Sequence, residues 1–258
     1  MSDTPLLIEK RDDGVVLLTL NRPEKLNALS GSLLAALSDA VDDIAADPNA
    51  RVFVLRGAPR PDGRPCFSAG VDVSAFADDD GVTEEQGFEL TNKIDDLLKP
   101  SICAIDGICT TGGAEIALAF DFRLVGGQAR ISDWHLKKLG TGLGSWGAST
   151  RWARECGVTE AKRMLLTGRE IDGEEAVRIG FASACFASDA LDGEAIAMAE
   201  AIAGMSPDGV KLVLAHLDRI DDMSRDQALR WAQLSADWLD VKVHADELSG
   251  KVLGRRDA

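Results

Sequence analysis

No uninterrupted apolar run reaches the roughly 18 residues a helix needs to cross a bilayer, and the N-terminus, Met1-Ser-Asp-Thr-Pro5, has no basic segment leading into an apolar one. Neither secretion by signal peptide nor membrane association is expected. The five cysteines, Cys66, Cys103, Cys109, Cys156 and Cys185, are odd in number, widely spaced and free of any Cys-x-x-Cys pair. That pattern argues against a disulfide framework and a zinc site and for a reducing, cytoplasmic setting. Cations are scarce, with 28 Lys plus Arg against 43 Asp plus Glu and a net charge of −15. Such a field repels phosphate backbones, so nucleic acid is not an expected partner. There are three histidines, no carboxylate–histidine cluster at metal spacing and no serine in Gly-x-Ser-x-Gly. No metal is expected, and a triad hydrolase has no support.

What is present is a chain of 258 residues, 45% hydrophobic, long enough to bury a large core as one domain or a domain plus an appendage. Gly14 to Leu20 is an apolar run closed by Asn21-Arg-Pro23 and reads as a buried strand. Ser30 can cap a helix in which Leu33, Leu37, Val41 and Ile44 recur at helical spacing through Ala46, before a second strand, Arg51 to Arg56. Residues 58–70 read as a loop, 78–87 as an acidic, mobile stretch, 84–98 as a helix, 101–105 as a strand, 114–120 as a short helix and 121–125 as a strand. From about Thr159 the pattern is wholly helical, with candidates at 159–167, 173–179, 193–203, 207–217 and 225–239. The alternation predicts an α/β fold with parallel pairings followed by a helical tail.

In the segment Thr110 to Phe120, Glu115 is the one ionisable side chain, on a helix otherwise apolar on every face. A carboxyl group buried there must be paired, and desolvation raises its pKa toward a range useful for proton transfer. It can equally complement the positive end of its helix. Gly112-Gly113 can present unobstructed N–H groups at that helix N-terminus, a cradle for a developing oxyanion or simply a tight turn. Cys66 to Asp72 holds a second glycine-marked turn. Gly142-Leu-Gly-Ser-Trp-Gly147 formally matches G-x-G-x-x-G, but no strand precedes it, so it reads as a flexible turn before a helix at 149–155. His216 falls in an amphipathic helix and His244 in the polar tail. His135, beside Trp134, is placed where a ligand could reach it or where it could simply pack.

Five segments resemble the crotonase (enoyl-CoA hydratase/isomerase) superfamily, in that family's order: Asn21 to Leu29, Phe67 to Asp72, Pro100 to Gly107, Gly112 to Leu118, and Leu165 to Gly168 followed by Ala176 to Gly180. The resemblance implies a spiral of strand–strand–helix turns at 1–192 and a helical region at 193–258 that mediates trimers or dimers of trimers. It implies an acyl-CoA thioester substrate, with coenzyme A as part of the substrate and no separate cofactor. The backbone N–H groups of Val71 and Gly112 match the family's oxyanion donors, and Glu115 matches the first of the two glutamates of its hydratases. Lys25, Leu26, Ala28, Ala69, Val71, Asp72, Val73, Ser74 and Gly112 fall in segments that line the CoA pocket. Arg22, Lys25, Arg60 and Arg64 are local cations for its phosphates. Asp106 and Asp121 match structural positions.

The second glutamate is missing. Hydratases of the family carry Pro-Glu shortly before Leu-Gly, where this chain reads Ile131-Ser-Asp-Trp-His-Leu-Lys-Lys-Leu-Gly140. Counting forward from Ala129 puts His135 in that place; counting back from Gly140 puts Leu136 there. A lone Glu115 suits an enoyl-CoA isomerase, with His135 as an auxiliary group titrating near neutrality. A crotonase-type hydrolase or carbon–carbon lyase is an alternative, as is an acyl-CoA-binding protein without turnover, although pure binding gains nothing from burying a carboxylate.

Overall fold

Each pair of consecutive strands in the middle of this chain is split between two sheets, and that splitting brings distant loops to one point. The computed structural model describes residues 4–78, 80–140 and 142–238. Among them the larger sheet has the order β1 (Leu6–Lys10), β2 (Val15–Leu20), β3 (Val52–Gly57), β5 (Ser101–Ile105), β7 (Phe122–Gly126) and β10 (Ala184–Phe186). Only β1 pairs antiparallel there. The smaller sheet runs β4 (Cys66–Ser68), β6 (Ile108–Thr110), β8 (Arg130–Ser132) and β9 (Glu170–Ile171), the last antiparallel. Thus β3 then β4, β5 then β6, and β7 then β8 each place one strand in either sheet before a helix returns the chain. Those helices are α2 (Glu84–Asp95), α3 (Gly112–Leu118), and the α4 (His135–Leu139) and α5 (Ala148–Thr167) pair. The α/β spiral of strand–strand–helix units is the expected fold.

Side chains alternate in direction along each strand, and the near-continuous burial of β2, β3 and β5 reflects a sheet covered on both faces. Val16, Leu18, Leu20, Phe53, Leu55, Cys103 and Ile105 point into the main core with α1 (Gly31–Ala46) and α3. Val15, Leu17, Val52, Val54, Ile102 and Ala104 point the other way, onto α7 (Leu191–Ala203). That helix offers Leu191, Ala195, Ala199 and Ala203, a stripe of mostly small residues at four-residue spacing on its buried face. Ser30 caps α1 by accepting from Leu33 N at 3.3 Å, and Thr83 with Gln86 forms a capping box on α2. Asp121 and Asp106 tie strands and loops: Asp121 accepts from the Ser101 N–H and hydroxyl at 2.7 Å, Asp106 from Gly107 N and Gln128 N. Arg123, almost fully buried, donates to the Ala117 and Phe120 carbonyls at the C-terminal end of α3 and to Glu155, fixing that short helix.

Four expectations change. Residues 58–70 are not all loop, because 66–68 form β4, a buried strand at the edge of the smaller sheet and too short for a periodic signal. The region after Thr159 is not wholly helical: β9 and β10 interrupt it, and β10 extends the large sheet parallel to β7. The candidates at 149–155 and 159–167 join as α5, kinked at Gly157 (φ 79°, ψ 156°). The helix read over 84–98 ends at Asp95. The five cysteines are free, and burial pushes the Cys66 thiol up to about 11 and Cys156 to about 12.

The described residues divide into two units after Gly204, where the sequence places a boundary after residue 192. The second unit contains α8 (Pro207–Leu217) and α9 (Arg225–Trp238), with the His216 ring stacked on Trp231 at 4.9 Å. Residue 239, the last of the helix read over 225–239, and His244 lie outside the described residues. Among those described, no helix is long and apolar enough to cross a membrane.

Candidate active site

Two turns meet at the N-terminal end of α3. The first follows β4: Leu29 N donates to Gly70 O at 2.8 Å, and Asp72 N donates to Leu29 O at 2.8 Å. This is a parallel bridge between Leu29 and Val71, which leaves the Val71 N–H directed away from Leu29. Gly70 has φ +87°, and a Cβ there would lie 3.0 Å from Thr110 O and 3.4 Å from Gly112 N. The turn therefore presses directly on the second one. In that second turn Thr111 takes φ 54°, ψ −117°, a region unfavourable to a β-branched residue and costing about 1–3 kcal/mol. The strain is held by Thr111 N donating to Ser132 O at 3.2 Å and by a hydroxyl chain from Ser132 through Thr110 to Thr111. Gly112, the first residue of α3, has one of the N–H groups that no intrahelical carbonyl can take. Gly113 allows the helix to lie on β4, since a Cβ there would be 2.9 Å from Ser68 O. The sequence-predicted pair Val71 and Gly112 is thus brought together, one N–H on each converging turn.

Glu115 sits one turn further along α3 and is 2% exposed. Its Oε1 accepts from Trp146 N at 3.0 Å and Ala148 N at 3.3 Å. Its Oε2 lies 3.2 Å from His135 Nε2. The other ring nitrogen, Nδ1, is 3.0 and 3.2 Å from the two oxygens of fully buried Asp133, whose Oδ1 also accepts from the His135 backbone N–H. Burial alone would lower the His135 pKa, but the hydrogen bonds and charges of Asp133 and Glu115 outweigh it and push it up to about 10. Carboxylates on both sides of the ring thus favour its charged form. The expectation that it titrates near neutrality is overturned, because carboxylates face both ring nitrogens. His135 fills the place opposite Glu115, while Leu136 is 40% exposed.

The Gly142–Gly147 segment is not a dinucleotide fingerprint, as expected, yet its role is specific. Trp146 is 3% exposed; its ring lies against Gly87 of α2 and Gly112, where a Cβ would clash at 1.9 and 2.8 Å. Its carbonyl accepts from Arg151 Nη1 at 2.6 Å and from the Thr91 hydroxyl at 2.9 Å. Those bonds hold the Trp146 and Ala148 N–H groups onto Glu115. Asp133, Trp146 and Ala148 were not predicted. Asp133, two residues before His135, was the available signal; the backbone donors had none.

The expected CoA-lining residues gather beside the first turn. Leu26 is left-handed (φ 55°), Leu26 O accepts from Ala69 N at 3.0 Å, and Lys25 Nζ reaches Ser74 Oγ at 3.3 Å. Asp72 accepts from Ser74 N and Oγ and from Arg22 Nη2 at 2.8 Å. Burial acts to raise the Asp72 carboxyl, but these donors prevail and hold it below the usual range. Arg22, which also donates to Ala28 O, is consumed in this framework. Arg60 and Arg64 are both paired with Asp62, and Val73 is 73% exposed.

Known proteins resemble this chain over most of its length. Residues 10–241 match the enoyl-CoA hydratase/isomerase family model. A probable enoyl-CoA hydratase of Mycobacterium bovis is 31% identical over 89% of this chain and 87% of its own length. The short-chain-enoyl-CoA hydratase of Clostridium acetobutylicum is 29% identical over 86% and 85%. Among solved structures, the enoyl-CoA hydratase of Bacillus anthracis superposes with a TM-score of 0.85 at 27% identity, over 97% of this chain and 96% of that one. A monofunctional enoyl CoA isomerase of M. smegmatis superposes with a TM-score of 0.73 at 29% identity, over 88% and 98%. With the family model covering most of its length, this chain belongs to the enoyl-CoA hydratase/isomerase family.

Proposed function

We propose that this chain adds water reversibly to a 2-enoyl-CoA thioester, using Glu115 as base and His135 as acid. The observation that carries this reading is the 3.2 Å contact between Glu115 Oε2 and His135 Nε2, beside the two turns bearing the Val71 and Gly112 N–H groups. With the thioester oxygen on those two donors, charge that develops as the enolate forms is met by preorganised dipoles. Glu115 takes a proton from water as the water oxygen bonds to C3. The enolate then takes the Nε2 proton of His135 at C2, and the proton on Glu115 returns to His135 across their hydrogen bond. One water is added and both groups recover their starting charge. A base and an acid whose environments separate their proton affinities need no second glutamate.

Lys25, Leu26, Ala28, Ala69, Asp72, Val73 and Ser74 line the CoA side of this reading, and exposed Lys25 and Arg64 with half-buried Arg60 are the cations for its phosphates. The region after residue 192 would mediate a trimer or dimer of trimers, measurable by light scattering. A second reading, isomerisation of 3-enoyl to 2-enoyl thioesters, is favoured by the single glutamate, which can carry one proton between two carbons. Incubating the protein with 2-enoyl- and 3-enoyl-CoA and reading products by mass spectrometry decides. Gain of one water on the 2-enoyl substrate supports hydration, mass-neutral conversion of the 3-enoyl substrate alone supports isomerisation, release of free CoA supports hydrolysis, and binding without product leaves an acyl-CoA-binding protein.

A further inference from the structure

We propose that Asp133 is a positioning residue that locks the His135 ring with Nδ1 turned inward and Nε2 presented to Glu115. This rests on the reading of Glu115 and His135 given above. Asp133 is completely buried and comes directly after Ser132, the last residue of β8. Ser132 O accepts from Thr111 N, and Ser132 Oγ is linked through Thr110 to the strained Thr111 turn. The ladder that sets the Gly112 N–H therefore also sets Asp133.

From there the carboxylate holds the histidine twice, at its backbone N–H (3.1 Å) and at Nδ1 (3.0 and 3.2 Å). The inner nitrogen must carry a proton, because Asp133 offers only acceptors there. The outer nitrogen faces Glu115 at 3.2 Å, and a lone pair directed at that carboxylate would be repelled. Both nitrogens therefore act as donors. Two carboxylates from different elements, the β8–α4 link and α3, thus face the ring. Neighbouring cations turn elsewhere: Lys137 Nζ donates to Gly168 O at 3.2 Å, Lys138 Nζ sits 3.6 Å over the Trp134 ring, and Arg151 of α5 bonds to Asp95 and Asn92. Without Asp133 the ring would lose its inner anchor and one of the two carboxylates that favour its charged form.

The test uses NMR titration of the histidine ring signals in the full chain. Three histidines are present, and His135→Ala identifies the one of interest. In wild type the His135 ring stays protonated through pH 8. In Asp133→Asn, which can still accept the Nδ1 proton but carries no charge, the midpoint falls by at least one pH unit. Hydration of the enoyl thioester at pH 8 falls at least tenfold in the same variant, KM changes less than about threefold, and much of the loss is recovered at pH 6. Asp133→Glu keeps the charge and restores a raised midpoint. A wild-type midpoint near 6.5, or an unchanged midpoint in Asp133→Asn, overturns the proposal. The titration needs no turnover, so it stands or falls separately from the hydratase reading: a protein that holds His135 protonated through Asp133 but adds no water defeats only the latter.

Discussion

Replacing Glu115 by Gln removes a charge from a site that otherwise keeps its shape, and the consequences can be followed atom by atom. The amide oxygen can still accept from Trp146 N and Ala148 N, so the turn around Trp146 stays anchored. The amide NH₂ then takes the place of Oε2, 3.2 Å from His135 Nε2, and two donors cannot face each other. His135 must release its outer proton or turn away. One substitution thus removes the acceptor for the water proton and the donor for C2. General acid–base groups typically contribute about 10²–10⁴-fold each. We expect kcat to fall at least ~100-fold, about 2.7 kcal/mol of barrier, and toward 10⁴-fold if both roles are lost. The cost in stability is that of exchanging a charge-assisted hydrogen bond for a neutral one in a buried site, about 1–3 kcal/mol. The assay is the initial rate of disappearance of the conjugated enoyl thioester absorbance, beside a thermal unfolding curve and CoA binding. A folded Glu115→Gln variant that turns over within tenfold of wild type would refute the assignment.

Gly112→Pro removes one oxyanion donor and should cost about 3 kcal/mol or more of transition-state stabilisation, with unfolding temperature as the control; a folded, fully active variant refutes the role of that N–H. The His135 pKa is raised on folding, so the ring takes up a proton as the chain folds, and its stabilising contribution is complete below about pH 6.5 and lost as pH rises through about 10. The stability gap between wild type and His135→Gln, measured by urea unfolding, should therefore shrink across that window; a gap that widens with pH contradicts the two-carboxylate environment. Gly87→Ala places a Cβ 1.9 Å from the Trp146 ring, so it should destabilise by about 1–3 kcal/mol and lower kcat by displacing the N–H on Glu115; unchanged activity would separate that ring from the site.

The spiral and its core were readable where the periodic signal was long. Gly14 to Leu20 reveals itself as an apolar run closed by Asn21-Arg-Pro23, and Leu33 to Ile44 by helical spacing. Strands of two or three residues such as β4, β9 and β10 carry too few side chains for either period, and only ladder partners distant in sequence define them. Glu115 stood out because its helix is apolar on every face, and Gly112 because it opens the Gly112-Gly113 pair at the start of that helix. His135 was undervalued for a physical reason: its charge depends on Asp133 and on Glu115 twenty residues earlier, and spacing alone does not show that both carboxylates reach one ring. The same holds for Trp146, whose seat exists only because Gly87 and Gly112, on different helices, both lack a Cβ.

The most direct test of a cooperating Glu115–His135 pair is a cycle of hydration rates for wild type, Glu115→Gln, His135→Ala and the double variant on one 2-enoyl-CoA. If the two groups pass one proton between them, each single change costs at least about 100-fold and the double variant falls little below the worse single one, since residues acting as a unit are strongly non-additive. Rapid hydration by His135→Ala, or losses that multiply in full, would contradict the pair and leave Glu115 acting alone.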